Sequence, residues 1–438
     1  MTEKNTTERH TKGIVAVRAA AEQCRKASHQ LPVLPAETRD KALREVSRAL
    51  RAAESSIVAA NRLDLERAAA EGLAAPLLAR LNFDHKKLTE VCAGLDELAE
   101  LPDLLNERTL ERELAPGLEL YRERCPIGVI GFIFESRPDA LVQIAGLAIR
   151  SGNAAIIKGG SEARETNREL YRIIKEASEA TGLPEGWLAN LESRAEIQAI
   201  LKLDEYIDLI IPRGSNQFVQ YIMANSNIPV LGHADGVCHT YIAADCDREM
   251  ALKVVVDAKT QYVSVCNATE TILIDPELTG RFLTNLVTEL RERGVEIYGD
   301  WLLCTEHGAK PAADWHTEYL DYKVAIHVVA GLNEAIEHIN KYGSGHTDAI
   351  ITSDREKAEE FMNRVDSGNV FWNCSTRFSD GFRYGFGAEV GIATSKIHAR
   401  GPVGVDGLLT YKYKLYGHGD IVGDFSSGKR KFTHRDLN

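Results

Sequence analysis

Cys266 carries the chemistry this chain is best placed to perform. It lies in the stretch from Thr260 to Thr271, after a helical, amphipathic run from Met250 to Ala258 and before an apolar, strand-like run from Thr271 to Ile274. A thiol between a helix and a buried strand sits on a loop held by a rigid scaffold, where reactive groups collect. A cysteine can attack a carbonyl carbon and leave again, so it can carry a covalent acyl group. The chain holds 8 cysteines in all. A lone cysteine is more often a small buried hydrophobe than a nucleophile, and loop position is what sets Cys266 apart.

Other residues suit anion binding. Lys158 ends a strand-like run next to Gly159-Gly160-Ser161, and Ser161 is expected to cap the following helix. Gly214-Ser215 follows a run ending in Pro212-Arg213 and opens another helix, whose backbone N–H groups suit a phosphate. Both can equally be plain strand–helix turns. Arg137 and Arg377 follow strand-like runs, at the edge where open α/β sheets gather ligands. Either can grip a carboxylate or phosphate through a bidentate fork, or be a solvated surface charge. The dinucleotide fingerprint G-x-G-x-x-G is missing, and Gly385-Phe386-Gly387 lacks the strand and helix it would need.

These groups need a scaffold, and the composition allows one. The chain has 438 residues, 44% apolar and 26% charged, enough for two or three ordinary globular domains. A net charge of −12 argues against nucleic-acid or anionic-membrane partners, which need a basic face. No apolar run approaches a membrane span, and the polar start from Met1 to Lys12 lacks a secretory core. The cysteines are scattered, with no CxxC pair, and no HExxH appears. Adjacent Cys238 and His239 are poorly spaced for one metal, so no metal site is expected, and a reducing cytoplasm is the simplest location.

The first hundred residues read as helical. A long run from Pro35 carries Leu43, Val46, Leu50 and Ile57 at helical spacing and ends near Gly72. From Ile127 strands alternate with helices: 127–134, 154–158 and 208–211 are strands, with helices over 138–150, from 161 to about 181, and from 214. The pattern resumes with strands at 240–243, 270–274, 324–329, 349–352 and 370–372. Such alternation means doubly wound parallel sheets. Leu118 to Glu123, after the Pro116-Gly117 turn, reads as half of a hairpin. Thr410 to Tyr416 alternates with period two, as a strand with one wet face whose edge invites a partner chain.

Several longer strings then point to one family. They are 126–131 (PIGVIG), 134–138 (FESRP), 151–153 (SGN), 158–163 (KGGSEA), 211–214 (IPRG), 233–239 (HADGVCH), 257–260 (DAKT) with Cys266-Asn267, 375–378 (STRF), 387–390 (GAEV) and 398–402 (HARGP). In these strings, running in order over roughly residues 10 to 420, the chain resembles the glutamate-5-semialdehyde dehydrogenases, or γ-glutamyl phosphate reductases, of the aldehyde dehydrogenase superfamily.

The resemblance implies an aldehyde dehydrogenase-like α/β fold. An NADP-binding domain would span 1–109 and 125–237, a catalytic domain 238–405, and a small β oligomerisation element 110–124 and 406–420. It implies NADPH-dependent reduction of L-glutamyl 5-phosphate to glutamate 5-semialdehyde with phosphate release, the second step of proline synthesis. A homo-oligomer is implied, with the glutamate 5-kinase on a separate polypeptide. Cys266 matches the nucleophile; Lys158, Ser161, Gly214, Ser215 and Glu318 the cofactor site; Ser136, Arg137, Asn267 and Arg377 the substrate site. The alternative is another acyl-reducing or aldehyde-oxidising member of the superfamily.

Three departures refine this. Gln261-Tyr262-Val263 stands where the family often reads Gln-Arg-Pro. His233 falls near the place of the water-activating Glu of aldehyde-oxidising relatives, and its role stays open between chemistry and structure. Ser161 replaces the Glu that NAD-preferring relatives set on the ribose 2′-hydroxyl, which favours NADP(H), with Lys158 offering its 2′-phosphate a charge.

Overall fold

A computed structural model describes residues 3–135, 137–192, 195–232 and 235–437. Ser136 and His233 therefore lie outside the described residues.

The N-terminal helices are α1 (Glu3–Ser28), α2 (Ala36–Ala52), α3 (Glu54–Ala70), α4 (Ala75–Leu81) and α5 (His85–Glu100). The run expected as one helix from Pro35 to Gly72 is two, broken at Ala53, where φ is −96° and ψ 13°. Ala53 carries no breaking signal of its own. The break redirects α3, whose buried Asn61 and Asp64 reach across to Thr166.

The first parallel sheet contains β3 (Val129–Phe134), β4 (Ala154–Lys158), β5 (Leu188–Leu191) and β6 (Leu209–Arg213), in the order β5-β4-β3-β6. Its helices are α6 (Pro138–Ser151), α7 (Arg164–Glu179), α8 (Ala195–Ile200) and α9 (Asn216–Asn225). Every residue of β3 and β4 is buried, as the continuous apolar runs of a two-sided parallel sheet require. The sequence reading missed β5, a four-residue strand half covered on its inner positions. The strand order reverses beside β3, so the crevice between the C-terminal ends of β3 and β6 is a natural ligand site.

The second parallel sheet has seven strands: β7 (Cys238–Ile242), β8 (Thr269–Ile274), β9 (Glu296–Gly299), β10 (Lys310–Pro311), β11 (Lys323–Val328), β12 (Thr347–Ile351) and β13 (Asn369–Trp372). Their order is β10-β9-β11-β8-β7-β12-β13. The helices α10 (Arg248–Thr260), α11 (Arg281–Glu292), α12 (Trp301–His307), α13 (Leu332–Tyr342) and α14 (Arg355–Arg364) cover it. The two-residue alternation of a strand divides the core. Ile272 and Ile274 pack with Leu283, Leu286 and Leu290 on one face, while Leu273 packs with Ile350, Ile339 and Phe361 on the other.

The third sheet is antiparallel: β1 (Arg108–Ala115), β2 (Leu118–Pro126), β16 (Leu409–Tyr416) and β17 (Arg435–Asp436), in the order β16-β2-β1-β17. The expected hairpin is β1–β2. The short pair β14 (Ile392–Ala393) and β15 (Gly401–Pro402) lies against Gly368 and Asn369 at the start of β13, and the helix α15 (Val422–Ser426) follows β16. The strand over 410–416 was expected to have one wet face. In the single chain both faces are open beyond the buried Leu409: Tyr411, Tyr413, Leu415 and Tyr416 are all more than half exposed, and among the described residues β2 is the one strand paired with β16. No described helix is long and apolar enough to cross a membrane.

Candidate active site

Cys266 lies on the loop between α10 and β8 and is half-buried. The segment leading into β7 packs directly under it: a Cβ added to Gly236 would stand 2.3 Å from the Cys266 carbonyl oxygen and 2.5 Å from its Cα. Glycine is the residue that permits such an approach. The Cys238 Sγ, at the start of β7, donates to the same carbonyl oxygen across 3.1 Å. Burial pushes the Cys238 thiol well up, so it keeps the proton it donates. Asn267 is buried, and its Nδ2 donates to the Ser379 carbonyl at 2.7 Å. That bond pins the loop, while Asn267 Oδ1 has no partner among the described residues.

Two guanidinium groups, Arg377 and Arg213, act on the thiol. Arg377 was placed by sequence beyond the end of a strand. The chain after β13 doubles back, so that Thr376 Oγ1 lies 3.2 Å from Thr269 Oγ1 at the start of β8. This carries Arg377 to the opposite edge of the sheet, where its Nε donates to Gln261 Oε1 at 3.0 Å. Burial and then Arg383 lower its pKa, while Cys266 acts to raise it. From the other sheet, Arg137 pairs with Asp139 at 3.1 Å. Burial raises the Asp139 carboxyl, but Arg137, with Lys87 and Arg213, holds it below the usual range.

Sequence reasoning missed two site residues. Arg213 ends β6 in register with Phe134 of β3, so it and Arg137 share one sheet edge. Burial and then Arg137 bring the Arg213 guanidinium down to about 10, with Cys266 among the groups opposing the shift. Its place at a strand end beside Gly214 was the available signal. The second is His346, whose Nε2 lies 3.1 Å from Cys266 Sγ. Nothing local in the sequence marks it.

The cofactor candidates fall into two groups. Glu318 accepts the Gly236 N–H at 3.0 Å on one oxygen and the Asn216 Nδ2 at 3.0 Å on the other. It thus ties α9 of the first sheet to the backbone under Cys266. Lys158 is buried at the C-terminal end of β4, with its Nζ bonded to the Gly159 carbonyl. Ser161 is exposed but does not cap α7 as expected. That task falls to Asp64, which accepts from the N–H groups of Glu165 (3.2 Å) and Thr166 (2.8 Å) and from Thr166 Oγ1 (2.7 Å). A carboxylate with two oxygens serves several orphan donors at once, which a hydroxyl cannot. Arg67 completes this corner, donating to the carbonyls of Ser161 and Glu162 at 3.1 Å each.

Gly214 and Ser215 precede α9, but the anion there is the chain's own: Ser215 N–H donates to Glu135 Oε2 at 3.1 Å. A bound phosphate at that helix start would have to displace Glu135. Among the described residues no group of three or more His, Cys, Asp or Glu is arranged to hold a metal ion.

Known proteins share this fold. Residues 1–297 and 324–406 match the aldehyde dehydrogenase family. A γ-glutamyl phosphate reductase of Ruminiclostridium cellulolyticum is 57% identical over 414 residues, covering 94% of this chain and 96% of its own. The crystal structure of a γ-glutamyl phosphate reductase from Thermotoga maritima superposes with a TM-score of 0.90 at 36% identity, over 92% of this chain and 99% of that one. A glyceraldehyde-3-phosphate dehydrogenase from Methanocaldococcus jannaschii, complexed with NADP, shares the fold at a TM-score of 0.67 and 17% identity, over 93% of this chain and 95% of its own.

Proposed function

Because this chain belongs to the aldehyde dehydrogenase family, and within it to the γ-glutamyl phosphate reductases, we propose that it reduces L-glutamyl 5-phosphate to L-glutamate 5-semialdehyde with NADPH and releases phosphate, as the second step of proline synthesis. The observation that carries this reading is a half-buried Cys266 under the electrostatic influence of both Arg213 and Arg377. Guanidinium groups are suited to phosphate oxygens, and a leaving phosphate needs such charge where an aldehyde substrate needs none.

In this reading the Cys266 thiolate attacks the acyl carbon, phosphate departs, and a thioester remains. NADPH, when bound, supplies the hydride that turns the thioester into a thiohemiacetal. Charge develops on the acyl oxygen in both steps, and the Cys266 backbone N–H is the donor we assign to it. Arg137, Arg213 and Arg377 hold the phosphate. Asn267 fixes the loop through Ser379. Residues 1–109 and 125–237 form the cofactor part, 238–405 the catalytic part.

The cofactor fits the residues present. Lys158, Ser161 and Glu318, with Gly214 and Ser215 once Glu135 leaves the Ser215 N–H, would hold it. Ser161 is exposed and adds no carboxylate of its own, and the Arg67 guanidinium beside it, paired with Asp64 at 2.5 Å, offers a 2′-phosphate a cation. The substrate is an acyl phosphate, so a phosphoryl transferase acting on the glutamate side chain must supply it, and we assign that to a separate glutamate 5-kinase. Mixing the two proteins tests both points: glutamate, ATP and NADPH together give semialdehyde, and omission of the kinase stops it. NADPH oxidation with an acyl-CoA in place of the kinase system would instead favour a CoA-acylating member of the family.

A further inference from the structure

The loop Gly343-Ser344-Gly345 leads into β12, with Gly345 in the left-handed region at φ +70°. Ser344 Oγ accepts the Val237 N–H at 2.9 Å, tying this loop to the segment beneath Cys266. The turn delivers His346, fully buried, with Nε2 3.1 Å from Cys266 Sγ. Its other nitrogen is also engaged: Nδ1 lies 2.8 Å from Thr347 Oγ1. Thr347 Oγ1 and the His346 carbonyl are both bonded by Asn369 Nδ2, at 3.3 and 3.1 Å. The ring is therefore held at both ends, and a thiol within hydrogen-bond distance of an imidazole nitrogen has a proton acceptor in place.

We propose that His346 is a catalytic residue: its Nε2 takes the Cys266 proton, and returns it to the departing phosphate. This rests on the function proposed above. Nδ1–H donates to Thr347 Oγ1, which leaves the Nε2 lone pair for the thiol proton. The thiolate then forms the S–C bond to the acyl carbon. The C–O bond to phosphate breaks, its electron pair stays on the phosphate oxygen, and that oxygen accepts the proton from Nε2, leaving as hydrogen phosphate. The carbon bonded to Sγ is the one that bears the departing oxygen, so the proton travels a short way. After hydride transfer the C–S bond breaks, the thiolate is restored, and it takes a proton from solvent. That is the proton the overall reduction consumes.

Among the described residues, the following charged and titratable groups act on the pair. Arg213 and Arg377 act on Cys266 from the substrate side. Cys238 Sγ lies 3.7 Å from His346 Nδ1, with Asp348 and Glu270 acting on that thiol. The Cys238 proton is used on the Cys266 carbonyl, so Cys238 does not compete for the Cys266 proton.

The test reads the thiol without any substrate. The rate of Cys266 alkylation by iodoacetamide is followed by peptide mass spectrometry across pH in wild type, His346→Gln and Thr347→Val. The proposal expects His346→Gln to slow alkylation at neutral pH by about tenfold or more, with rates converging in alkali where the thiolate forms unaided. Thr347→Val, which keeps the imidazole but removes its Nδ1 partner, should give a smaller loss and speaks for the proposal if His346→Gln does not fold. Wild-type rates at neutral pH in the variants would overturn it. If alkylation depends on His346 but the kinase-coupled protein forms no semialdehyde, the proposed substrate falls and the thiol–imidazole pair stands.

Discussion

Lys259 Nζ donates to Glu270 Oε2 across 2.6 Å, with neither side chain reaching solvent. Burial raises the Glu270 carboxyl and lowers the Lys259 ammonium, and their contact opposes both shifts. The other Glu270 oxygen accepts the Leu320 N–H at 3.1 Å. Leu320 sits at φ +51°, a left-handed conformation that a branched apolar residue adopts only when held. Its carbonyl accepts from Ser264 Oγ at 3.3 Å, on the Cys266 loop. The pair thus supports the turn that presents Glu318.

Glu270→Gln should therefore cost about 3–5 kcal/mol, since it strands a buried ammonium. Denaturant unfolding measures this. The double variant Lys259→Met with Glu270→Leu should recover most of the stability but not the activity, because Leu320 stays unsupported. Activity returning together with stability would show that the pair does not position Glu318.

Cofactor choice follows from the corner around Ser161. Ser161→Glu places a carboxylate where a 2′-phosphate would meet Arg67, and should lower kcat/KM for NADPH at least about tenfold while sparing NADH, a loss of roughly 1.4 kcal/mol or more. Steady-state kinetics with both cofactors decide it. An unchanged preference would remove the 2′-phosphate from this corner.

Acid sensitivity should trace in part to His338. Burial, then the neighbouring His239 and His327, push its imidazole down to about 3, against about 6.5 in an unfolded chain. The unfolded chain binds a proton in that window and the native one does not. Stability is therefore complete above about pH 6.5 and falls below it by up to about 1.4 kcal/mol per pH unit, until the folded value is reached. His338→Phe keeps a ring between Trp315 and Tyr342 and removes the titration. Urea midpoints at two pH values in this window should lie closer together in the variant, and an equal gap would refute this.

The sheet of β16 ends in an open edge that carries Tyr411, Tyr413 and Leu415, each at least 55% exposed. We propose that this edge, with 110–124, joins a second copy. Lysines at an edge strand block pairing, so Tyr413→Lys with Leu415→Lys should reduce the sedimenting mass to that of one chain. A mass equal to wild type would place the contact elsewhere or deny it.

The thiol's loop, its flanking elements and both parallel sheets were legible in the sequence. What it hid were contacts between residues distant along the chain. His346 meets Cys266 from 80 residues away, and Asp64 caps Thr166 from 102. Neither periodicity nor a capping rule, both local, can report such partners. The break at Ala53 has the same origin, since tertiary packing redirects a helix whose residues would continue it. Strands β5 and β9, four residues each, are too short for period two to stand out.

In the oxidative direction, the proposed thioester on Cys266 is resolved by phosphate and not by water. Stopped-flow mixing of protein, NADP+ and glutamate semialdehyde without phosphate should give one burst of NADPH, about one per Cys266 thiol, and then stop. Digestion should locate a glutamyl group on the Cys266 peptide, and added phosphate should restart turnover. Sustained turnover without phosphate, or a burst in Cys266→Ala, would contradict the account.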